Sequence, residues 1–416
     1  MSGPAPASTT ARRALQRCDE LAAISSMPGG VERVHLSPEH ARANAVAAGW
    51  MAQAGLATWQ DQAGNQWGRL EGREPGLPSL VLGSHLDTVS DAGRYDGVLG
   101  VVSAIEVAHR LRERADELPF ALEVVAFSDE EGTRFATALM GSRAVAGQWD
   151  QDWWERADAD GVTVREAALA FGLDPARVGE AARRPADLAG YLELHIEQGP
   201  QLESAGRALG VVTSIAGARR FTGHVRGEAR HAGGTPYPRR RDALVAAADV
   251  VLAVERLAVE LGGIATVGRL QAFPGGVNVV PGLVEFSLDV RAERDADRDD
   301  LVERVRAHGE AVSRARGTTF ELVETHSAPG VACDGLLSAS IAEGIAATGD
   351  ADPVRLWSRA GHDAMAMAAI TPVAMLFVRC EDGISHAPGE DVTLGDVARG
   401  IDAFEAAVHD VARRRR

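Results

Sequence analysis

The stretch Leu80-Val81-Leu82-Gly83-Ser84-His85-Leu86-Asp87-Thr88 joins an apolar run to a polar segment that contains a histidine and an aspartate. The apolar run predicts a buried strand, which puts His85 and Asp87 at or just past its end, where open α/β sheets carry their chemistry. A carboxylate near a histidine can accept the second ring N–H and fix the tautomer that a metal ligand needs. Asp96 follows in a glycine-flanked loop, and its carboxylate could bridge two cations. A histidine and an aspartate so placed are also common in a hydrogen-bonded surface turn, so further ligands must decide.

The composition is that of a globular chain of ordinary polarity. Hydrophobic residues make up 45% and charged residues 25% of the 416 positions, which indicates neither disorder nor a membrane protein. No apolar run is long enough to span a bilayer and the first residues contain no apolar signal core, so the cytoplasm is the default location. A formal charge of −16 argues against nucleic acid or an anionic membrane as the main partner. Three widely spaced cysteines exclude a cysteine zinc site and favour a reduced compartment.

Strands and helices alternate around the opening stretch. Helices are predicted from Ser37 to Ala54 and from Val98 to Arg114, and strands from Trp67 to Leu70 and from Leu122 to Phe127. This alternation predicts an α/β domain with a mixed, largely parallel sheet. Residues 1–12 are expected to form a disordered tail.

Acidic residues follow the second apolar strand, in Asp129-Glu130-Glu131. Two adjacent glutamates at a strand end usually belong to a solvated turn. Here, however, the two glutamates come one helix and one strand after His85. In that position one glutamate can bind a metal ion while the other serves as general base for a water molecule.

Two more histidines follow apolar segments. In Tyr191 to Gly199, apolar residues alternate with polar ones, which predicts a strand with one polar face that carries His195 beside Glu193 and Glu197. A histidine on a polar strand face is more often solvated than a ligand, but the other candidate ligands favour metal binding here. His386 lies in a loop rich in glycine and proline, after the next buried strand.

Between about residues 210 and 326 the pattern changes to β-α-β-β-α-β, which is the ferredoxin-like order in a segment of domain size. Because α/β patterning then resumes, we predict a catalytic domain formed by residues 1–209 and 327–416 and interrupted by an inserted domain at 210–326. The predicted strands of the insert are Phe221–Val225, Ala265–Ala272, Leu283–Arg291 and Thr318–Glu324, and its predicted helices are Asp242–Leu261 and Asp299–Ala315.

Three polar residues of the insert, His231, Asn278 and Arg291, lie in turns or at a strand end. Each has an ordinary explanation as a turn residue or a solvated side chain. As a set they predict an anion-binding group, because arginine can hold a carboxylate through two parallel hydrogen bonds.

The candidate ligands and their neighbours occur along the chain in the order His85, Asp87, Asp96, Asp129-Glu130-Glu131, His195 and His386. This set resembles that of the two-metal amidohydrolases of the aminoacylase and carboxypeptidase clan. The likeness is greatest to the branch of N-carbamoyl-L-amino-acid hydrolases, β-ureidopropionase and allantoate amidohydrolase, and it runs from about Ala14 to the C-terminal helix. The motifs are specific, since a peptidase of the clan usually has a carboxylate where this chain has His195, in Glu-Leu-His-Ile-Glu-Gln-Gly-Pro.

The resemblance implies two divalent cations per subunit, with Asp96 bridging them. Zinc or manganese is expected, and cobalt or nickel also suits three imidazoles with carboxylates. The implied ligands are His85, Asp96 and His195 for one cation and Asp96, Glu131 and His386 for the other. Glu130 would be the general base, and Asp87 would orient His85.

The resemblance also implies a substrate-binding set formed by Gln198, His231, Asn278 and Arg291. His231 would donate to the developing oxyanion and reach the active site of a partner subunit, with the inserted lid domain forming a homodimer. Arg359 stands where the branch often has glycine, and it either helps to hold an anionic substrate or faces solvent. His362 is equally well explained by a structural role.

The expected activity is hydrolysis of the ureido C–N bond of a small ureido acid. The segments Leu36-Ser37-Pro38 and Met375 to Cys380 favour allantoate, with an N-carbamoyl-L-amino acid or β-ureidopropionate as the alternative. A non-catalytic relative that binds a small acid would be expected to lack Glu130 or a ligand, and none is missing. A dipeptidase or deacylase of the same fold is disfavoured by His195.

Overall fold

A computed structural model describes residues 7–415, which form two compact units. The first contains the described residues of 7–213, 333–356 and 362–415, and the second contains Ser214–Ala332 and Trp357–Gly361. The helices are α1 (Ala7–Ala22), α2 (Pro38–Gln53), α3 (Val98–Leu111), α4 (Met140–Val145), α5 (Val164–Phe171), α6 (Gln201–Ser204), α7 (Ala243–Leu261), α8 (Asp295–Arg316), α9 (Gly335–Ala347), α10 (Ala364–Met367) and α11 (Leu394–Arg414).

Sixteen strands are present among the described residues. They are β1 (Ala57–Gln60), β2 (Gln66–Leu70), β3 (Ser79–His85), β4 (Ala121–Phe127), β5 (Leu188–Ile196), β6 (Leu209–Ile215), β7 (Gly217–Arg226), β8 (Arg230–His231), β9 (Ile264–Thr266), β10 (Leu270–Phe273), β11 (Val279–Val280), β12 (Leu283–Ala292), β13 (Thr319–Ala328), β14 (Val331–Ala332), β15 (Val354–Ser358) and β16 (Val373–Val378).

The sheet of the first unit has the order β1-β2-β4-β3-β5-β16-β6, and β15 also pairs with β6. Its four central strands, β4, β3, β5 and β16, are parallel and buried along their whole length. Such strands need apolar residues on both faces, which explains the uninterrupted apolar runs in the sequence. His85 is level with Phe127, and Ile196 with Val378, so the loops after all four strands leave the same edge of the sheet. The prediction of an α/β fold with a mixed sheet is confirmed.

The start of the chain differs from the prediction. Residues 7–12 belong to α1 and are not a disordered tail, while residues 1–6 lie outside the described part of the chain. Ala11, Ala14, Cys18 and Leu21 are fully buried at helical spacing. Most side chains on this face are small, so the sequence shows no clear apolar pattern there. The face nevertheless packs into the core of the first unit.

The second unit contains an antiparallel sheet of order β10-β12-β7-β13, with β9 also paired to β12. Alternate residues of β12 are buried against α7 and α8. The single strand predicted from Ala265 to Ala272 is in fact two, β9 and β10, and α8 begins at Asp295 rather than Asp299. The unit begins at Ser214 and includes the separate segment Trp357–Gly361. Among residues 7–415 no helix is long and apolar enough to cross a membrane.

Candidate metal centre

Three side chains meet where β3 and β5 end. His195 Nε2 lies 3.2 Å and His85 Nε2 lies 3.9 Å from the same oxygen, Oδ1 of Asp96. All three side chains are at least 90% buried, and each offers a ligand atom to a common point. The arrangement brings together the three residues that the sequence suggested for a first cation.

The second nitrogen of each of these two rings is already engaged. His85 Nδ1 lies 3.0 Å from the carbonyl oxygen of Asp87, and His195 Nδ1 lies 2.9 Å from that of Ile196. A carbonyl can only accept, so Nδ1 carries the proton in both rings and the lone pair of Nε2 faces the site. The buried Nε2 of His195 has no hydrogen-bond donor among residues 7–415. This tautomer is the one that a cation requires.

A second group shares Asp96 through its other oxygen. His386 Nε2 lies 3.0 Å from Asp96 Oδ2 and 3.4 Å from Glu131 Oε1. Gln198 Nε2 donates to Asp96 Oδ2 at 2.9 Å, so the amide lies at the edge of this group. Gln198 and His386 both have φ of +56°, a backbone strain that is typically retained at functional sites.

Glu130 lies beside His85, at the border of the first group. Its Oε2 is 4.0 Å from His85 Nε2, so it borders the site without joining Asp96. The Asp87 carboxylate accepts the backbone N–H groups of Glu130 at 2.9 Å and Glu131 at 3.0 Å. Its own distance to His85 Nδ1 is 3.4 Å, longer than that of the Asp87 carbonyl. The Asp87 side chain therefore fixes the glutamates more directly than it orients His85.

The site concentrates negative charge in a buried volume. Burial raises the pKa of Glu130 well above its ordinary value, and burial together with the Asp96 charge raises the pKa of Glu131 to about 7. The hydrogen bond to Asp96 raises the pKa of His386 to about 9. Residues 7–415 contain four groups of three side chains, and within each group the possible ligand atoms are close enough together to bind one metal ion. Carboxylates crowded beside imidazoles fit divalent cations, whose positive charge would offset that of the carboxylates.

Gly97 makes this crowding possible. It has φ of +67°, and a Cβ at this position would lie 2.4 Å from His85 Nε2. No side chain is compatible with that approach, so the glycine allows α3 to begin directly beside the histidine.

The predicted anion-binding residues lie in the second unit, as two pairs. His231 is paired with Val279 across the β8 and β11 ladder, and Ala232 N–H donates to the Asn278 carbonyl at 2.8 Å. The Arg291 guanidinium donates to Asp289 at 2.8 Å and to the Arg359 carbonyl at 2.7 Å. The Arg359 side chain lies over the Trp357 ring, 5.3 Å from its centroid.

Sequence reasoning missed part of the surroundings of His195. Glu193, His195 and His362 form a further buried group, with the two imidazole rings 4.5 Å apart. The strand that carries Glu193 and His195 is buried on both sides, so its predicted polar face is an internal polar layer and not a solvated surface. A glutamate in the centre of an apolar parallel strand was the signal that could have indicated this layer.

Three comparisons with known proteins place the chain in a family. The model of peptidase family M20/M25/M40 matches residues 81–410. An N-carbamoyl-L-amino acid amidohydrolase from Geobacillus stearothermophilus is 39% identical over 96% of this chain and 98% of its own. A probable allantoate deiminase from Oryza sativa subsp. japonica is 40% identical over 92% of this chain and 84% of its own.

A solved structure shows the same likeness. The amidase of the hydantoinase/carbamoylase family from Burkholderia multivorans superposes with a TM-score of 0.89 and 34% identity, covering 97% of this chain and 98% of that one. The family match over most of the chain, together with relatives near 40% identity, shows that this chain belongs to peptidase family M20/M25/M40.

Proposed function

We propose that this protein is a two-metal hydrolase that cleaves the ureido C–N bond of a small ureido acid, with allantoate as the first candidate substrate. The observation that carries the proposal is Asp96, whose two oxygens face two different histidine-containing groups. A carboxylate so placed can bridge two cations, one beside His85 and His195 and one beside Glu131 and His386. Relatives named for carbamoyl amino acids and for allantoate support the ureido class.

Two divalent cations, when bound, would polarise the carbonyl and lower the pKa of a water molecule. Glu130, next to His85 but outside the Asp96 pairs, accepts the proton of that water and passes it to the leaving nitrogen. The water oxygen forms a bond to the ureido carbon and the carbonyl oxygen becomes an oxyanion; when the carbonyl re-forms, the C–N bond breaks and the protonated amine leaves. The resulting carbamate loses carbon dioxide and leaves ammonia. His231 donates to the oxyanion.

Arg291 and Arg359 are the proposed carboxylate-binding groups. Asp289 and the Arg359 carbonyl hold the Arg291 guanidinium on two of its edges, which fixes its orientation and leaves further N–H donors for a ligand. Asn278 directly precedes β11, the strand that pairs with His231 in β8 of the same unit. Gln198, at the edge of the second metal group in the first unit, is a further proposed substrate-binding residue.

The second unit has features of an interface between copies of the chain. Val245, Leu252 and Val259 repeat every seven residues along α7 and are 44%, 70% and 77% exposed. The ten-residue strand β13 lies at an edge of its sheet. An exposed apolar helix stripe and a strand edge with no partner among residues 7–415 each favour association with a second copy, so we propose a homodimer through a ferredoxin-like lid domain. The unpaired cysteines at 18, 333 and 380 suit a cytoplasmic location.

An N-carbamoyl-L-amino acid, or β-ureidopropionate, is the second candidate substrate, favoured by the carbamoylase relative that matches nearly the whole chain. Ammonia release from chelator-stripped protein, before and after addition of manganese or zinc, tests both. Metal-dependent release from allantoate, with little from carbamoyl amino acids, is the expected result. The reverse preference would support the metal site but show that the substrate is a carbamoyl amino acid and not allantoate. No release from either class by protein that carries two cations would contradict ureido hydrolysis.

A further inference from the structure

Glu390 is a buried carboxylate that links the two loops of the candidate metal centre. Only 1% of the residue is exposed. Its Oε1 accepts the backbone N–H groups of Tyr95 at 2.7 Å and Asp96 at 3.1 Å. Its Oε2 accepts the hydroxyl of Ser385, the residue before His386, at 2.9 Å. One side chain thus holds both the backbone of the bridging aspartate and the loop of the last histidine.

The space for Glu390 is provided by a glycine. A Cβ on Gly93 would lie 2.2 Å from Glu390 Oε1, so any larger residue would displace the carboxylate. Within residues 7–415 Glu390 has no ion pair, and its hydrogen-bond donors are all neutral. A buried carboxylate without a cation is costly, and a purely structural link would not need the charge.

Ser385 explains why a carboxylate is present at this position. Its Oγ lies 2.9 Å from Glu390 Oε2 and 3.2 Å from Asp96 Oδ2, and a hydroxyl has one proton to donate. The nearer Glu390 accepts that proton, so Ser385 does not add a second donor to Asp96 Oδ2, which already accepts from Gln198 Nε2 at 2.9 Å. A neutral amide at position 390 would instead donate to Ser385 and turn the hydroxyl proton towards Asp96.

We propose that Glu390 is a positioning residue for the second cation. It fixes the backbone of Asp96, holds the loop of His386 through Ser385, and keeps the Ser385 proton away from Asp96 Oδ2. The proposal rests on the two-metal site of the proposed function but concerns metal binding and not the substrate. Residues that orient ligands in this way typically change metal affinity by about 10–100-fold when they are replaced.

The test compares Glu390→Gln with the full-length wild-type chain after removal of metal. Titration with Mn²⁺ gives the affinity of each equivalent, the visible absorption of the Co²⁺ form reports ligand geometry, and melting of the metal-free protein reports folding. We expect the second equivalent to bind about 10–100-fold more weakly, with an altered Co²⁺ spectrum. The melting temperature of the metal-free protein is expected to change no more than in the control variant.

Asp61→Asn is the matched control, because Asp61 also accepts only neutral donors but lies in the turn before β2. Ser385→Ala is a second variant, which removes only the hydrogen bond between Ser385 and Glu390. It is expected to lower the affinity for the second cation less than Glu390→Gln does. Wild-type affinity for both equivalents in Glu390→Gln, whatever its activity, would overturn the proposal. So would a loss of affinity matched by a loss of metal-free stability, which is the result of a folding role. Wild-type protein that binds fewer than two cations would refute the two-metal site itself.

Discussion

Glu130 and Glu131 are adjacent in sequence but differ in what they contact. Glu131 faces His386 across 3.4 Å, while Glu130 borders His85 at 4.0 Å and takes no part in the Asp96 pairs. We therefore expect Glu130→Gln to lower kcat by about 10²–10⁴-fold, the usual worth of a general base. Both cations should remain bound, as measured by metal content after gel filtration.

Glu131→Gln serves as the matched control for that substitution. It should release the second cation, because Glu131 belongs to the ligand group of Asp96 and His386. A kcat near that of the wild type in Glu130→Gln would show that Glu130 is not the general base. Loss of metal in that variant would show that Glu130 contributes to metal binding instead.

His35 makes stability depend on pH away from the metal groups. Burial lowers the pKa of His35 from 6.5 to about 4, and its Nδ1–H donates to the Ser128 carbonyl at 2.9 Å. Between these two values the unfolded chain binds more protons than the folded one, so the unfolding free energy falls as pH drops from 6.5 and stops falling below about 4. The loss for this residue is on the order of 3 kcal/mol.

Urea unfolding of metal-free wild-type protein and His35→Gln at several pH values would measure the effect. Glutamine can replace the hydrogen bond to Ser128 but does not titrate, so the difference between the two proteins should change between pH 6.5 and 4 and be constant above this range. Parallel curves for the two proteins would show that His35 is not held neutral in the folded state.

The ligand candidates His85, Glu131 and His195 could be found from sequence because each one ends, follows or lies within an apolar strand pattern. Glu390 could not be found in that way, since two of its three donors are backbone N–H groups, which every residue except proline possesses. The group of Glu193, His195 and His362 was equally hidden, because it depends on how the segment before α10 packs against β5. Local sequence shows what a side chain can do but not which distant backbone it meets.

At the scale of elements, the turn from Asp96 into α3 is tightly constrained. Gly97 combines φ of +67° with a position where a Cβ would lie only 2.4 Å from His85 Nε2. Gly97→Ala should therefore lower stability by at least about 1–2 kcal/mol from the backbone alone. It should also weaken the binding of the cation at His85, because the added Cβ would push the His85 ring out of its position.

Gly49→Ala is the matched control for this substitution, since Gly49 lies within α2 and a Cβ there meets nothing within 4 Å. Alanine in a helix should be neutral or stabilising. Thermal melting and metal titration of both variants would measure the contrast. Equal behaviour of the two would show that Gly97 is not required by its surroundings.

Helices and strands with strong patterns were predictable, and those with weak patterns were not. β4 agrees with the strand predicted from Leu122 to Phe127 to within one residue. The helix predicted from Ser37 to Ala54 is α2, and the Ser37 hydroxyl accepts from His40 N–H at its start. The start of α1 was missed because alanine and threonine give little apolar contrast. The split between β9 and β10 was missed because only Val267-Gly268-Arg269 separate the two strands, and both pair with β12.

At the scale of the molecule, the proposed homodimer makes a direct prediction. Leu252→Asp places a charge in the middle of the exposed α7 stripe, where it would be buried without a partner in the dimer. The variant should be monomeric by light scattering at concentrations where the wild type is dimeric. Leu169→Asp is the control, as Leu169 is 59% exposed on α5 in the first unit. A monomeric wild type, or an unchanged dimer in Leu252→Asp, would contradict this interface.

The arrangement of strands was only partly accessible from the sequence. Alternating strands and helices predicted a largely parallel sheet, and β4, β3, β5 and β16 are parallel. The antiparallel pairs of β2 with β4 and β6 with β16 were not foreseen. Strand order depends on long-range pairing, which a single sequence does not encode in any local pattern.

The pairing of β16 with β5 has a consequence for synthesis on the ribosome. His85, Glu131 and His195 leave the ribosome before the residues 214–332 of the second unit, whereas β16 and His386 follow them. A nascent chain that ends before β16 can bring together His85, Asp96 and His195 but lacks the last ligand of the second group. Because domains tend to fold as they emerge, the two groups would be completed at different times during translation, and a prematurely terminated chain would carry an incomplete centre.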